Sequence, residues 1–275
     1  MEKLQKALQQ ARTKRAEVSG DAQTTPTDAP VKRDVALDGT WESLPLAELN
    51  NTHLTNMRVV TRHASKLAMP FDILRTKILL QMRQNNWTRL AITSPSAACG
   101  KSTLSANLAL GLGRQNELHS ILFELDLRRP SLAKTLGAQP THNIDEMLGG
   151  ALSFDQQAMR LRPNVAACLC SAPVEDPSRY MLHGQTSEIL DEVEKTYAPD
   201  AMLFDMPPLL VGDDTRAFLR NVDCALIVAR AEVSTATEID ICEKELGEHT
   251  NVLGVVLNQC RHLPQDDNCY GYGAD

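Results

Sequence analysis

The chain has few aromatic residues and no long apolar run. Phe, Trp and Tyr make up 4% of its 275 residues, so the core must be built mainly from aliphatic side chains. Nowhere do about 18 consecutive apolar residues occur, the length that a membrane-spanning helix needs. The opening MEKLQKALQQARTKRAE also lacks the apolar core of a signal peptide. We therefore expect a cytoplasmic protein, whose association with the inner membrane would depend on a partner.

The chain also has no excess of basic over acidic residues. The formal net charge is −7, whereas a general nucleic-acid-binding domain normally carries a basic excess. No nucleic acid is therefore expected as a partner. The seven cysteines are odd in number and show no spacing typical of a zinc site. This favours free thiols in a reducing compartment.

The distribution of apolar residues divides the chain into four parts. Leu4, Leu8 and Ala11 have helical spacing among Lys, Gln and Arg, which indicates a narrow amphipathic helix. The following stretch is too poor in large apolar residues to offset the entropy of ordering the chain. The predicted parts are an N-terminal amphipathic helix (1–18), a flexible linker (19–56), a folded domain (57–262) and a disordered tail (263–275).

Short apolar runs alternate with helical patterns in the folded part. The predicted strands are 89–93, 120–126, 164–170, 201–205, 222–229 and 252–257. The predicted helices are 101–114, 186–197, 215–220 and 236–246, with short helices over 131–150. This alternation predicts an α/β fold, a parallel sheet with helices on both faces. Ligands of such sheets bind outside the carboxyl ends of the strands.

A candidate phosphate-binding loop, SPSAACGKST over residues 94–103, follows the first strand and opens a helix. Backbone N–H groups after Gly100 would face a β-phosphate, assisted by the helix N-terminus. Lys101 would bring a positive charge to the β- and γ-phosphates, and Ser102 a hydroxyl ligand to Mg²⁺. The alternative is a strand–helix turn that merely contains Gly-Lys-Ser-Thr.

The loop is poor in glycine. Pro95 stands where the usual pattern begins with Gly, and alanines occupy positions 97 and 98. An alanine that must adopt a positive φ costs about 1 kcal/mol.

Two later strands end in acidic residues. The second strand ends in Glu124-Leu-Asp126-Leu-Arg128, and a later one in Asp205-Met-Pro-Pro. An Asp at the end of a buried strand is costly unless it is paired or linked to a metal. A helix cap is the alternative for each carboxylate alone. Their order after the loop predicts that all three elements converge at one edge of the sheet.

Together, the three motifs resemble the bacterial tyrosine kinases of capsule and exopolysaccharide synthesis, relatives of the MinD and ParA P-loop ATPases. The motifs are SPSAACGKST, ILFELDLRRPSL and MLFDMPP, and the resemblance covers roughly residues 60–262. It implies a P-loop fold, protein-tyrosine kinase activity, and ATP and Mg²⁺ as ligands. It also implies a transmembrane polysaccharide co-polymerase as activating partner.

The resemblance assigns roles to particular residues. Lys101 would stabilise the migrating phosphoryl group, and Ser102 would bind Mg²⁺. Asp126 and Asp205 would hold the metal through water, with Asp126 orienting the attacking tyrosine. The implied ATP-binding residues are Ser96, Ala97, Ala98, Cys99, Gly100, Lys101, Ser102, Thr103 and, beside the adenine, Asn258. The implied accessory residues are Glu124, Arg128 and Asp214.

The sequence departs from the family at several positions. Glu124 replaces the first Asp of the second motif. Met69, Asp72 and Arg75 occupy the positions of a ring-assembly motif of which only the last Arg is kept, so a homo-oligomer is left open. Ser96 stands where partitioning ATPases have a second signature lysine, which argues against that branch.

The tail carries two of the four tyrosines, Tyr270 and Tyr272, beside glycines. The resemblance implies that they accept phosphate; the alternative is a frayed terminus. Three functions therefore remain. They are a kinase that phosphorylates its own tail, a ParA- or MinD-like ATPase switch without kinase activity, and a regulator that binds nucleotide weakly.

Overall fold

The computed structural model describes residues 35–261, which form one α/β unit around a seven-stranded sheet. In chain order the strands are β1 Arg89–Thr93, β2 Ser120–Glu124, β3 Met159–Arg162, β4 Val165–Cys168, β5 Ala201–Asp205, β6 Cys224–Arg230 and β7 Asn251–Asn258. Their order across the sheet is β3-β4-β2-β5-β1-β6-β7. Every pairing is parallel except that of β3 with β4.

Helices connect these strands. They are α1 Val35–Glu42, α2 Asn51–Asn56, α3 Met69–Asn85, α4 Lys101–Leu112, α5 Leu132–Leu136, α6 Ile144–Leu148, α7 Phe154–Gln157, α8 Ser178–Leu182, α9 Gly184–Tyr197, α10 Asp214–Phe218 and α11 Ala236–Gly247. Between residues 35 and 261, no helix has the length and apolarity needed to cross a bilayer.

The sheet separates two apolar cores, because successive side chains of a strand point to opposite faces. In β1, Leu90 and Ile92 belong to one core and Ala91 to the other. The central strands β1, β2 and β5 are buried on both faces, as their continuous apolar sequences predict. The α/β fold class predicted from the sequence is confirmed.

The antiparallel edge strand β3 was not predicted. Its sequence, Met-Arg-Leu-Arg, carries two charges in four residues and does not resemble an apolar strand. Both charges are accommodated by backbone carbonyls: Arg160 Nε donates to Leu44 O at 2.9 Å, and Arg162 Nε donates to Gly113 O at 2.9 Å. The arginines of β3 are therefore bound by carbonyls that are distant in the sequence, which is why the local sequence does not predict the strand.

The prediction of a flexible linker over 19–56 is wrong for residues 35–56. Trp41 is 1% exposed, and its Nε1 donates to Tyr197 O at 2.9 Å. Leu44 and Leu54 are also buried, so three large apolar residues of this segment pack into the domain. The rest of the predicted linker, residues 19–34, lies outside the described residues. The predicted helix 1–18 and the predicted tail 263–275 lie outside them as well.

Replacing Trp41 with alanine tests whether this segment is part of the folded unit. Loss of a buried indole and its hydrogen bond should lower the free energy of unfolding by roughly 3–5 kcal/mol. Denaturant titration of the full chain would measure it, with Glu42→Ala, an exposed neighbour, as the matched control. An effect of Trp41→Ala as small as that of the control would contradict the docking.

Candidate functional site

The three sequence motifs meet at the carboxyl ends of β1, β2 and β5. In the strand register, Asp205 of β5 lies opposite Ile92 of β1 and Glu124 of β2. Backbone hydrogen bonds continue this register past the strand ends, from Met206 N to Ile92 O at 3.0 Å and from Leu125 N to Asp205 O at 2.9 Å. Since the phosphate-loop sequence follows β1, all three motifs leave the sheet side by side.

A cavity of about 390 Å³ lies between these motifs. This volume is within the usual range of small-molecule sites. The predicted site residues that line it are Ala97, Ala98, Gly100, Lys101, Ser102, Thr103, Asp126, Arg128 and Asp214. Ser96, Cys99, Asn258, Glu124 and Asp205 lie outside this lining.

The phosphate-loop backbone turns through two residues with positive φ, Ala98 at 62° and Gly100 at 88°. A Cβ on Gly100 would lie 2.3 Å from Asn258 Nδ2, so only glycine fits there. Ala98 therefore has the left-handed conformation, which is costly for an alanine. The loop therefore keeps its shape at some local strain.

Asn258 supports the loop from the end of β7. Its Nδ2 donates to Cys99 O at 2.8 Å, and Gln259 Nε2 donates to Ala98 O at 3.0 Å. Asn258 also lines a second cavity of about 370 Å³, together with Gly100 and Thr103. It thus lies on the opposite side of the loop from the acidic residues.

The side chains of Ser96 and Cys99 face each other behind the loop. Cys99 is fully buried, and its Sγ lies 3.6 Å from Ser96 Oγ. The Cys99 side chain packs the loop against the domain, whereas that of Ser96 is half-buried.

Asp205 is fully buried and only half satisfied. Its Oδ1 accepts a hydrogen bond from Ser105 Oγ at 3.0 Å, whereas Oδ2 has no hydrogen-bond partner within residues 35–261. Burial raises the pKa of Asp205 to about 6, against the opposing effects of the Lys101 charge and of the nearby Ser102 and Ser105 hydroxyls. A buried carboxylate oxygen without a partner is uncommon and fits a bound water or the water shell of a metal.

Asp126 faces the cavity directly. Burial raises the pKa of its carboxyl above the usual value, while the positive charge of Lys101 lowers it. No group of three or more His, Cys, Asp or Glu that could hold a metal by itself occurs between residues 35 and 261. Mg²⁺ does not need such a group, because it is usually bound through one or two carboxylates plus phosphate oxygens. Ser102, Asp126 and Asp205 fit that kind of site.

Glu124 binds backbone rather than the cavity. Its Oε1 accepts N–H groups of Ser131 at 2.5 Å and Leu132 at 2.6 Å, and its Oε2 accepts that of Cys170 at 2.9 Å. Burial raises the pKa of Glu124 to about 7, although the hydrogen bond from Cys170 and those at α5 lower it. The longer side chain thus ties the loop after β2 to the end of β4.

Arg128 and Asp214 form a bidentate ion pair at the cavity wall. Nε of Arg128 lies 2.7 Å from Oδ2 of Asp214, and Nη2 lies 3.0 Å from Oδ1. Ser178 Oγ donates to the same Oδ1 at 2.7 Å. Burial alone would raise the pKa of Asp214, but the bonds from Arg128 and Ser178 bring it below its usual value. Asp214 therefore holds Arg128 in place.

Several residues of the site were not predicted. Ser131 Oγ donates to Ser102 Oγ at 2.9 Å, and Ser105 bonds Asp205. Arg129 and Val211 also line the cavity. The spacing of Ser105, one helical turn after Lys101, could have indicated that it faces the same side of α4. Nothing in the local sequence points to Ser131, whose partner is brought to it by the fold.

Two other sets of predicted residues remain. Tyr270 and Tyr272 lie outside the described residues. Asp72 is bound within the chain, by Arg75 at 3.0 Å and by Arg114 at 2.8 Å.

Replacing Ala98 with glycine should relieve the strain in the loop. Because φ is 62° there, we expect the free energy of unfolding to rise by up to about 1 kcal/mol. Ala97→Gly is the matched control, since residue 97 has no positive φ and should lose stability by a similar amount. Denaturant titration measures both, and a loss of stability in both variants would contradict the strain.

Replacing Asp205 with asparagine should stabilise the nucleotide-free chain at neutral pH. A carboxyl whose pKa rises to about 6 on folding loses stability as the pH rises from about 4 to 6. Asparagine does not ionise, so at pH 7 the variant should gain about 1–3 kcal/mol, and the gain should vanish near pH 4. Melting curves at both pH values test this, with exposed Glu192→Gln as the control. A pH-independent difference would contradict a buried, ionised Asp205.

Comparison with known proteins relates the chain to tyrosine kinases. No family model matches it. It is 30% identical over 204 residues to the putative tyrosine-protein kinase EpsB of Ralstonia nicotianae, covering 73% of this chain but 26% of that protein. It is 26% identical over 216 residues to the putative tyrosine-protein kinase CapB of Staphylococcus aureus, covering 77% of this chain and 92% of that protein. The chain thus spans about a quarter of the length of the Ralstonia relative.

Solved structures agree on the fold. The kinase domain of the Escherichia coli tyrosine kinase ETK matches with a TM-score of 0.67 at 22% identity, over 77% of this chain and 82% of that one. The septum site-determining protein MinD of Pyrococcus horikoshii, complexed with Mg-ADP, matches with a TM-score of 0.53 at 20% identity, over 62% of this chain and 69% of that one. The chain is therefore a homologue of the bacterial tyrosine kinases, with the P-loop ATPase fold that is also seen in MinD.

Proposed function

We propose that the chain is an ATP-dependent protein-tyrosine kinase that phosphorylates Tyr270 and Tyr272 of its own tail. The observation that carries the proposal is the convergence of Lys101, Ser102 and Asp126 on one cavity, with the unpartnered oxygen of Asp205 beside it. The names of its relatives support the same activity.

The loop would bind the triphosphate through backbone N–H groups at the start of α4, where the helix dipole favours negative charge. Lys101 is almost fully buried, so its charge acts with little solvent screening on the β- and γ-phosphates. The second cavity, beside Asn258 and Thr103, offers space for the adenosine part of the nucleotide.

Ser102, Asp126 and Asp205 are the residues that would hold Mg²⁺. When bound, the ion would neutralise charge on the β- and γ-phosphate oxygens. Ser131 holds the Ser102 hydroxyl by a hydrogen bond, and Ser105 holds Asp205. These contacts fix the ligands before nucleotide binds, which lowers the entropy cost of assembling the site.

Asp126 would position the tyrosine hydroxyl and accept its proton as phosphate is transferred. Its pKa is raised by burial, which makes it a better base than an exposed aspartate. The positive charge of Lys101 would then stabilise the negative charge that develops on the phosphoryl group during transfer.

A ParA- or MinD-like ATPase switch is the alternative favoured by the fold match to MinD. Ser96, in place of a second signature lysine, counts against it. A regulator that binds nucleotide weakly is a further alternative, since the loop carries a strained alanine at position 98.

We further propose that the kinase acts in the cytoplasm, where Mg-ATP is supplied, and regulates exopolysaccharide or capsule synthesis and export. A transmembrane polysaccharide co-polymerase would activate it and bring it to the inner membrane. This part of the proposal is supported by the resemblance to kinases of that pathway.

Incubating the full chain with Mg-ATP and mapping phosphotyrosine by mass spectrometry tests the activity. We expect phosphate on Tyr270 and Tyr272, and a loss of at least about 100-fold in rate for Lys101→Met, which removes the charge at the γ-phosphate. Lys195→Met is the control, because Lys195 is an exposed residue of α9.

The two alternatives give different results in the same assay. ATP hydrolysis without phosphotyrosine would favour the switch. Neither hydrolysis nor phosphotyrosine, also after addition of an activator fragment, would favour the regulator. Either result would contradict the kinase.

A further inference from the structure

Two adjacent arginines line the cavity but differ in their partners. Arg128 is paired bidentately with Asp214, which neutralises its charge. Arg129 is exposed, lines the same cavity, and takes part in no ion pair within residues 35–261. The charge of Arg129 lowers the pKa of Asp126 without forming an ion pair with it, so the guanidinium remains available to an anionic ligand.

An apolar surface lies at the same cavity. Val211 is 67% exposed, and Pro207 and Pro208 line the wall beside it. Pro207 is held in place, since its carbonyl accepts hydrogen bonds from Thr93 Oγ1 and Thr215 Oγ1, both at 2.8 Å. A fixed apolar wall next to a phosphate loop suits the ring of a tyrosine better than a charged or aliphatic acceptor.

We propose that Arg129 and Val211 determine substrate specificity, by selecting tyrosines that follow acidic residues, and that residues 266–270 of this chain occupy the surface. This inference rests on the proposed kinase function and names its substrate class. Asp266 and Asp267 lie four and three residues before Tyr270. The charge of the segment is therefore complementary to Arg129, and its tyrosine ring to the apolar wall.

The spacing agrees with the geometry of the site. In an extended segment, three to four residues span roughly 10–13 Å. Arg129 N donates to Asp126 O at 3.1 Å, so the two residues share one turn, which keeps their Cα atoms within about 7 Å. The length of the arginine side chain then allows a tyrosine hydroxyl at Asp126 and a carboxylate at Arg129 to be bound together.

The chain length after the last strand also allows the tail to reach the cavity. The last strand, β7, ends at Asn258, whose side chain contacts the phosphate loop. In the sheet β7 lies four strand spacings, about 19 Å, from β2, the strand that precedes Asp126 and Arg129. Tyr270 follows the last described residue, Arg261, by nine residues, which can span up to about 30 Å. The segment can therefore reach the cavity of its own chain.

Arg129 has one competing use, which is contact with the γ-phosphate of ATP. That use would make the arginine part of nucleotide binding, and the acidic residues of the tail would then have no effect. Separate measurements of ATP and peptide binding distinguish the two.

A binding experiment tests the inference without requiring catalysis. The receptor is the full chain with Asp266→Asn and Asp267→Asn, so that its own tail competes weakly, saturated with Mg²⁺ and a non-hydrolysable ATP analogue. The probe is a fluorescent peptide of residues 262–275, followed by anisotropy. We expect Arg129→Ala to weaken peptide binding about fivefold, the size of an exposed ion pair. Lys134→Ala, an exposed cation of α5 outside the cavity lining, is the control and should change nothing.

Changing the charges of residue 129 and of the peptide tests the contact more directly than a single substitution. A peptide with asparagine at 266 and 267 should bind about fivefold more weakly to the parent receptor, with no further loss for Arg129→Ala. Arg129→Glu should reject the parent peptide and bind a peptide with lysine at both positions. A merely structural role of Arg129 would not be rescued in this way.

Each remaining outcome separates this inference from the kinase proposal. If Arg129→Ala raises the KM for ATP and leaves peptide affinity unchanged, the inference is overturned in favour of nucleotide contact. If Tyr270 is phosphorylated at the same rate whatever the charge at 129, 266 and 267, the kinase stands and the selection does not. If the peptide binds with the expected charge dependence but no phosphotyrosine forms, the docking surface stands and the kinase proposal fails.

Discussion

The site depends on a carboxylate that the fold forces into its interior. Strand β5 lies between β1 and β2 in a parallel sheet, so Asp205 at its carboxyl end is enclosed by both neighbours. Burial raises its pKa to about 6, and one of its oxygens has no partner among the described residues. Such a group costs stability in the empty domain and is explained by a ligand that supplies a cation nearby. Lys101 and the proposed Mg²⁺ supply that charge from the adjacent loop.

Other residues of the site also have conformations or burial that cost stability and fix the geometry of the cavity. Ala98 keeps a left-handed backbone, and Gly100 has no room for a side chain. Glu124 uses its buried carboxylate to hold three backbone N–H groups, which fixes the loop carrying Ser131 against Ser102. Glu124, predicted as an accessory residue, therefore acts by fixing this loop. The result is a cavity whose walls are set before nucleotide arrives.

Much of the fold was accessible from the sequence, because parallel strands buried on both faces appear as short apolar runs. The bounds of β1 and β5 were predicted as found, and the order of three motifs predicted their meeting at one edge. What the sequence did not reveal depends on distant partners. The edge strand β3 needs carbonyls of residues 44 and 113 for its arginines, and Trp41 needs the carbonyl of Tyr197. Ser131 and Glu124 likewise acquire their roles only through chain segments brought together by folding.

A crystal structure of the full chain with Mg²⁺ and a non-hydrolysable ATP analogue would test most directly whether these residues form one Mg-nucleotide site. The account predicts Mg²⁺ at about 2.1 Å from Ser102 Oγ, with Asp126 and Asp205 linked to it through coordinated waters. Lys101 Nζ should lie within hydrogen-bond distance of the γ-phosphate. A nucleotide whose phosphates lie away from the loop, or a metal that leaves both aspartates out of reach of its waters, would contradict it.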